Sequence, residues 1–137
     1  MAGRFEIGNK NVSMLLKQMA LVAIGGGAGS VLRFLAQKWI NIGPLPKFPV
    51  GTMTVNLIGC LLIGLLFGWF SKSPEAGVDW KLLLMTGLCG GFTTFSAFTL
   101  ESMVLLESSR WISFLLYVAG SVILGILATA IGYWITK

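Results

Sequence analysis

CGGFTTFSAF, Cys89–Phe98, sets two glycines and three hydroxyl residues between long apolar runs. Gly90 and Gly91 weaken a helix, and a break there releases backbone carbonyls and amides at membrane depth. Freed carbonyls are cation ligands, whereas freed amides and hydroxyls donate to anions. Thr93, Thr94, Ser96 and, just beyond, Thr99 supply the hydroxyls. Helical spacing after the break puts Thr94, Phe98 and Glu101 on one face, with Phe95 beside Phe98. A phenyl ring has a positive edge that can face a small anion shorn of its water. The alternative is plainer: two phenylalanines in the core and hydroxyls bonded back to their own helix.

The rest of the chain says what surrounds this segment. Of 137 residues, 55% are hydrophobic and 11% charged, against about 25% charged in soluble domains. This is the composition of an all-α integral membrane protein. A polar tail, Met1–Ser13, precedes one four-helix membrane domain over residues 14–137. Its apolar segments run from Met14 to Ile40, Val50 to Phe70, Trp80 to Ser109 and Trp111 to Thr136. Each offers about 20 residues or more, enough for about 30 Å of hydrocarbon. Trp39, Trp69, Trp80, Trp111 and Trp134 fall near segment ends, where an indole prefers to sit. The loop Asn41–Pro49 holds three prolines that no helix interior accepts. A cleaved leader is not the reading, because hydrophobicity resumes at once after GGGAGS, through Val31–Ile40.

Several function classes fall away. There is no histidine, and Cys60 and Cys89 lie inside apolar runs, where they read as buried free thiols. A metal site built from His and Cys is therefore not expected. The net charge of +5 is scattered along the chain rather than gathered into a nucleic-acid surface. On alternating sides of the membrane, Arg4, Lys10, Lys17, Lys72, Lys81 and Lys137 oppose Lys38, Lys47 and Arg110. Without the tail the balance is four against three, so charge barely selects an orientation.

Polar residues within the spans are the remaining candidates. Gly25 and Gly29 share a face, as do Gly64 and Gly68, which favours close helix packing. Arg33 projects from the Gly25–Gly29 face, and anchors at the membrane edge or draws anions to a mouth. Thr52, Asn56 and Gly59 form a polar and small stripe. The Asn56 amide either glues helices or donates to a passing anion.

GGGAGSVLRF (Gly25–Phe34), GTMTVNLIG (Gly51–Gly59) and GLCGGFTTFSAFTLE (Gly87–Glu101) together resemble the CrcB/Fluc family of small fluoride channels. The resemblance spans essentially the whole chain after the tail. It implies an antiparallel homodimer in dual topology, with a broken third helix and two fluoride pores. Asn56 is then a fluoride-coordinating donor, and Phe95 and Phe98 are the paired rings lining the path. Gly90 and Thr93 offer backbone carbonyls, duplicated by a second subunit, to a structural Na+ on the two-fold axis. Arg33 matches the vestibule arginine, while Thr94, Ser96, Thr99 and Glu101 belong to the polar stretch. Tyr117 and Ser121, one turn apart, are the fourth helix's polar contribution. Ala97 departs from the family's usual FSTF, removing one hydroxyl, and Thr99 stands where serine is common.

The expected function is a fluoride-selective channel in the inner (plasma) membrane of a bacterial cell. It passes F− passively, with the lipid bilayer, F− and a second copy of itself as partners and no nucleic acid. A small multidrug-type proton antiporter is the alternative, but its first helix wants an embedded carboxylate and this one has none. A structural small subunit of a larger complex leaves CGGFTTFSAF unexplained. No nucleophile–base or metal constellation points to an enzyme.

Overall fold

A computed structural model describes residues 2–40, 48–73 and 77–137, with side chains from residue 11 onward. All regular structure among these residues is helical. Helix α1 covers Ala2–Ile40 and α2 covers Val50–Lys72. The third span opens with α3 (Val78–Lys81), continues as a π-helix over Leu82–Cys89 and a last turn α4 (Gly90–Phe92), and resumes as α5 (Phe95–Glu107). Helix α6, Trp111–Thr136, completes the chain. Among the described residues, four stretches are long and apolar enough to cross a membrane: Asn11–Ile40, Val50–Lys72, Val78–Glu107 and Trp111–Thr136. The chain is a multi-pass membrane protein. Most of the proline-rich loop, 41–47, lies outside the described residues, as do 74–76.

Two close helix pairs hold the chain together. Helix α2 packs along α6, and α1 packs along the π-helix and α4. Glycine permits both approaches. A Cβ at Gly64 would strike the Thr129 carbonyl, and one at Gly132 the Leu61 carbonyl. On the other pair, a Cβ at Gly25, Gly29 or Gly91 would strike the carbonyl of Leu83, Leu88 or Gly26. Lipid tails are as apolar as leucine, so association here draws on close backbone packing rather than on apolar burial. The buried set agrees. Tyr117, Val55 and Thr52 are the largest fully buried side chains, and two of these three are polar. Most large aliphatic side chains face outward, and Trp39, Trp69, Trp80, Trp111 and Trp134 are all exposed near span ends. Lys17 pairs with Asp79 across the start of the third span, an exposed contact worth about 0–1 kcal/mol.

Gly90 and Gly91 both lie in the helical turn α4. The residues that leave helical geometry are Thr93 (φ −84°, ψ 156°) and Thr94 (φ −147°, ψ 116°). The sequence locates the weak point on the glycines, three residues too early. Gly91 is spent on close approach to Gly26, and its neighbours on α1 hold it in the helix. What draws the chain out of the helix is a side chain from α2.

Candidate functional site

That side chain is Asn56. Its Oδ1 accepts from the Thr94 backbone N–H at 2.8 Å, and its Nδ2 donates to the Thr94 carbonyl at 3.0 Å. One carboxamide thus satisfies both backbone groups of an extended residue, as a neighbouring strand would. The Thr94 side chain then starts the next helix: its Oγ1 accepts from Ala97 N at 3.3 Å, as an N-cap does. A threonine is suited to both tasks, being content in extended geometry and able to cap.

These bonds have a consequence for the carbonyls upstream. In an unbroken helix, Thr94 N–H would reach back to Gly90 O and Ala97 N–H to Thr93 O. Both donors are engaged elsewhere, so both carbonyls leave the ladder. The Gly91 carbonyl has a different fate. It accepts from Arg33 Nε at 3.2 Å and from Ser30 Oγ at 3.4 Å, both on α1. Arg33 is therefore a clasp on the segment, held against backbone oxygen.

On the face away from α1 lies an open cavity of about 400 Å³. Asn56, Gly90, Thr93, Thr94, Phe95, Phe98 and Ser121 line it. Asn56 uses one of its two amide hydrogens on Thr94, leaving one. Ser121 Oγ is buried and has no hydrogen-bond partner among the described residues. The Phe95 and Phe98 rings are tilted at 5.7 Å, with Phe95 77% exposed. A second cavity, about 770 Å³, continues along α2 and α6 toward Thr129 and Tyr133. The pair makes one long groove, apolar in most of its wall.

Glu101 stands behind the rings rather than in the cavity. It accepts from Thr52 Oγ1 and from Tyr117 OH, both at 2.7 Å, and Gln37 Nε2 donates to Thr52 Oγ1 at 3.1 Å. The chain Gln37–Thr52–Glu101–Tyr117 thus ties α1, α2, α5 and α6 together through one carboxylate. Tyr117 meets Phe98 at 5.2 Å and Phe48 edge-on at 5.6 Å, so the aromatic row runs from the cavity to the end of the bundle near Pro49.

Of the residues singled out from the sequence, Asn56, Gly90, Thr93, Thr94, Phe95, Phe98 and Ser121 come together at the cavity. Glu101 and Tyr117 bond to each other one layer away. Ser96 reaches it only through the Thr94 hydroxyl, at 3.3 Å. Thr99 donates back to Ser96 O within its helix and is exposed. Ser30 and Gln37 were missed. Gln37 extends the four-residue row Gly25, Gly29, Arg33, and that spacing was the available signal.

A family model described as "CrcB-like protein, Camphor Resistance (CrcB)" matches residues 20–133. A protein of Phocaeicola vulgatus named "Fluoride-specific ion channel FluC" is 45% identical over 122 residues, covering 89% of this chain and all of its own length. One of the same name from Flavobacterium psychrophilum is 46% identical over 122 residues, 89% of this chain and 98% of its own. A third, from Erwinia tasmaniensis, is 42% identical over 127 residues, 90% and 98%. With the match running through all four spans and through the Asn56–Thr94 site, this chain belongs to the CrcB-like family.

Proposed function

We propose that this chain is a fluoride-selective channel of the inner membrane, and not an enzyme. The observation that carries the reading is the cavity lined by Asn56, which keeps a spare amide hydrogen, by Ser121, whose hydroxyl is unpartnered among the described residues, and by the rings of Phe95 and Phe98. Neutral and partial positive donors in an otherwise apolar wall suit a small anion without fixing it by a full charge. The names of the relatives point the same way. Hydrogen fluoride crosses membranes as a neutral acid and ionises inside at near-neutral pH. The trapped anion then leaves down its own gradient, with no ATP.

The third span is read as a broken helix and the working unit as an antiparallel homodimer. Freed carbonyls and a polar rim cannot face lipid tails without cost. The groove that holds them is open, so a second copy is the cover this reading supplies. The two carbonyls released from the ladder, Gly90 O and Thr93 O, fit a hard cation, and a two-fold copy makes four neutral oxygens. That donor set suits Na+, whereas a divalent ion would recruit carboxylates. Bound there, Na+ would supply a fixed positive charge between the subunits. The antiporter alternative gains nothing: the membrane-embedded carboxylate is Glu101, on the third span and already bonded twice.

Purified protein in liposomes loaded with fluoride and chloride tests the proposal. Fluoride should empty, read by a fluoride electrode, while chloride stays. Equal release of both anions overturns it.

A further inference from the structure

Three sulfur side chains line the same cavity: Cys60 on α2, and Met85 and Cys89 on the third span. Met85 and Cys89 are four apart within the π-helix, so they share a face. Cys60 Sγ lies 3.4 Å from where a Cβ would stand on Gly125, in the seam between α2 and α6. Both thiols are free. Taken as cysteines alone, they read as small apolar fillers. The Met85 thioether adds a third soft donor to the cavity lining, and three donors from two spans make a different object.

We propose that Cys60, Met85 and Cys89 form a binding site for a soft monovalent cation, Cu+ or Ag+. Thiolate and thioether sulfur select such ions over hard ones. A structural zinc site wants four ligands in a tetrahedron, and among the described residues no group of three or more His, Cys, Asp and Glu exists to complete one. Charge also favours a monovalent ion. One thiol exchanges its proton for the metal, RSH + M+ → RS–M + H+, and the other thiol and the thioether remain neutral donors. The product carries no net charge, as an apolar wall requires. The same cavity then offers carbonyl oxygen of Gly90 and Thr93 to hard ions and sulfur to soft ones. The site lies within one chain and depends on neither the dimer nor fluoride conduction.

The test uses the full-length protein in detergent, titrated with Ag+ against a competing chelator, with metal per chain counted after gel filtration. One Ag+ per chain is expected. Cys60→Ser, Cys89→Ser and Met85→Leu should each weaken binding by at least about tenfold, since even an outer-shell partner of a metal is worth that much. Met53→Leu, outside the cavity lining, should bind as wild type does. Only variants eluting with wild type are compared. X-ray absorption of the Cu+-loaded wild type guards against a variant that fails to fold. A first shell of sulfur alone is expected. Nitrogen or oxygen in that shell, or undiminished Ag+ affinity in the folded Cys60→Ser/Cys89→Ser double variant, overturns the site.

Discussion

The two faces of the segment Gly90–Thr94 are handled in opposite ways. Toward α1, the Gly91 carbonyl is bonded by Arg33 and Ser30, and the backbones touch through Gly29 and Gly26. Toward the groove, Gly90 O and Thr93 O lose their helical donors, and the cavity wall is left open. A membrane helix that departs from its ladder must re-satisfy every group it releases. The chain re-satisfies the Gly91 carbonyl on one face, while on the other two carbonyls have left the ladder beside an open cavity. One face is structure, and the other is where function has room.

The largest effect should come from breaking the closed face. Gly29→Leu drives a side chain into the Leu88 carbonyl, and backbone cannot rotate aside as a side chain can. The cost should exceed the about 1–3 kcal/mol of ordinary overpacking. Folded protein on size exclusion should fall to a trace. A normal yield would mean that α1 does not close this face.

Asn56→Leu comes next, because Asn56 both pairs with the Thr94 backbone and lines the open cavity. It leaves the Thr94 N–H and C=O unpaired, at about 1–3 kcal/mol each. Fluoride efflux from whatever protein still assembles should drop to background. Asn56→Asp keeps the acceptor for Thr94 N–H and loses the donor, so its folded yield should lie between the two. Flux near wild type in assembled Asn56→Leu would move the anion argument off α2.

The open face is sharpened by Phe95→Ile and Phe98→Ile. If the rings only pack, flux per correctly folded protein should hold. If their edges meet the anion, the loss of about 0.5–1.5 kcal/mol of aromatic interaction lowers flux roughly two- to tenfold. Phe→Met should cost less, since a polarisable thioether adapts. Wild-type flux in both isoleucine variants would return the rings to the core.

Ser30→Ala is the smallest. Its bond to Gly91 O is long, at 3.4 Å, and Arg33 still holds that carbonyl. The thermal midpoint should shift by the equivalent of at most about 1 kcal/mol, with flux unchanged. A large loss of flux would show that the closed face is not merely structural.

Some of this was legible before any coordinates. Apolar run length and end-placed tryptophans mark four spans, and the described spans differ from those readings by a few residues: Asn11 against Met14, Lys72 against Phe70, Val78 against Trp80; helix α1 itself starts earlier, at Ala2. The glycine rows Gly25–Gly29 and Gly64–Gly68 mark the packing faces, since only glycine admits backbone at that range. Asn56 and the hydroxyl-rich stretch stood out because polar residues inside a membrane span are few and costly. These features are local, or periodic along one helix, and a linear sequence records them directly.

The tertiary structure alone decided where the chain leaves its helix. Helix propensity points to Gly90 and Gly91, yet both stay helical, Gly91 with α1 packed against it at Gly26. Thr93 and Thr94 yield instead, since a carboxamide thirty-eight residues upstream offers Thr94 both halves of a backbone pairing. The same holds for Glu101, whose two partners come from α2 and α6, and for the sulfurs gathered from α2 and the third span. Propensity is a few tenths of a kcal/mol to about 1 per residue. A pair of hydrogen bonds made away from water outweighs it, and which residues can make that pair depends on how the helices pack.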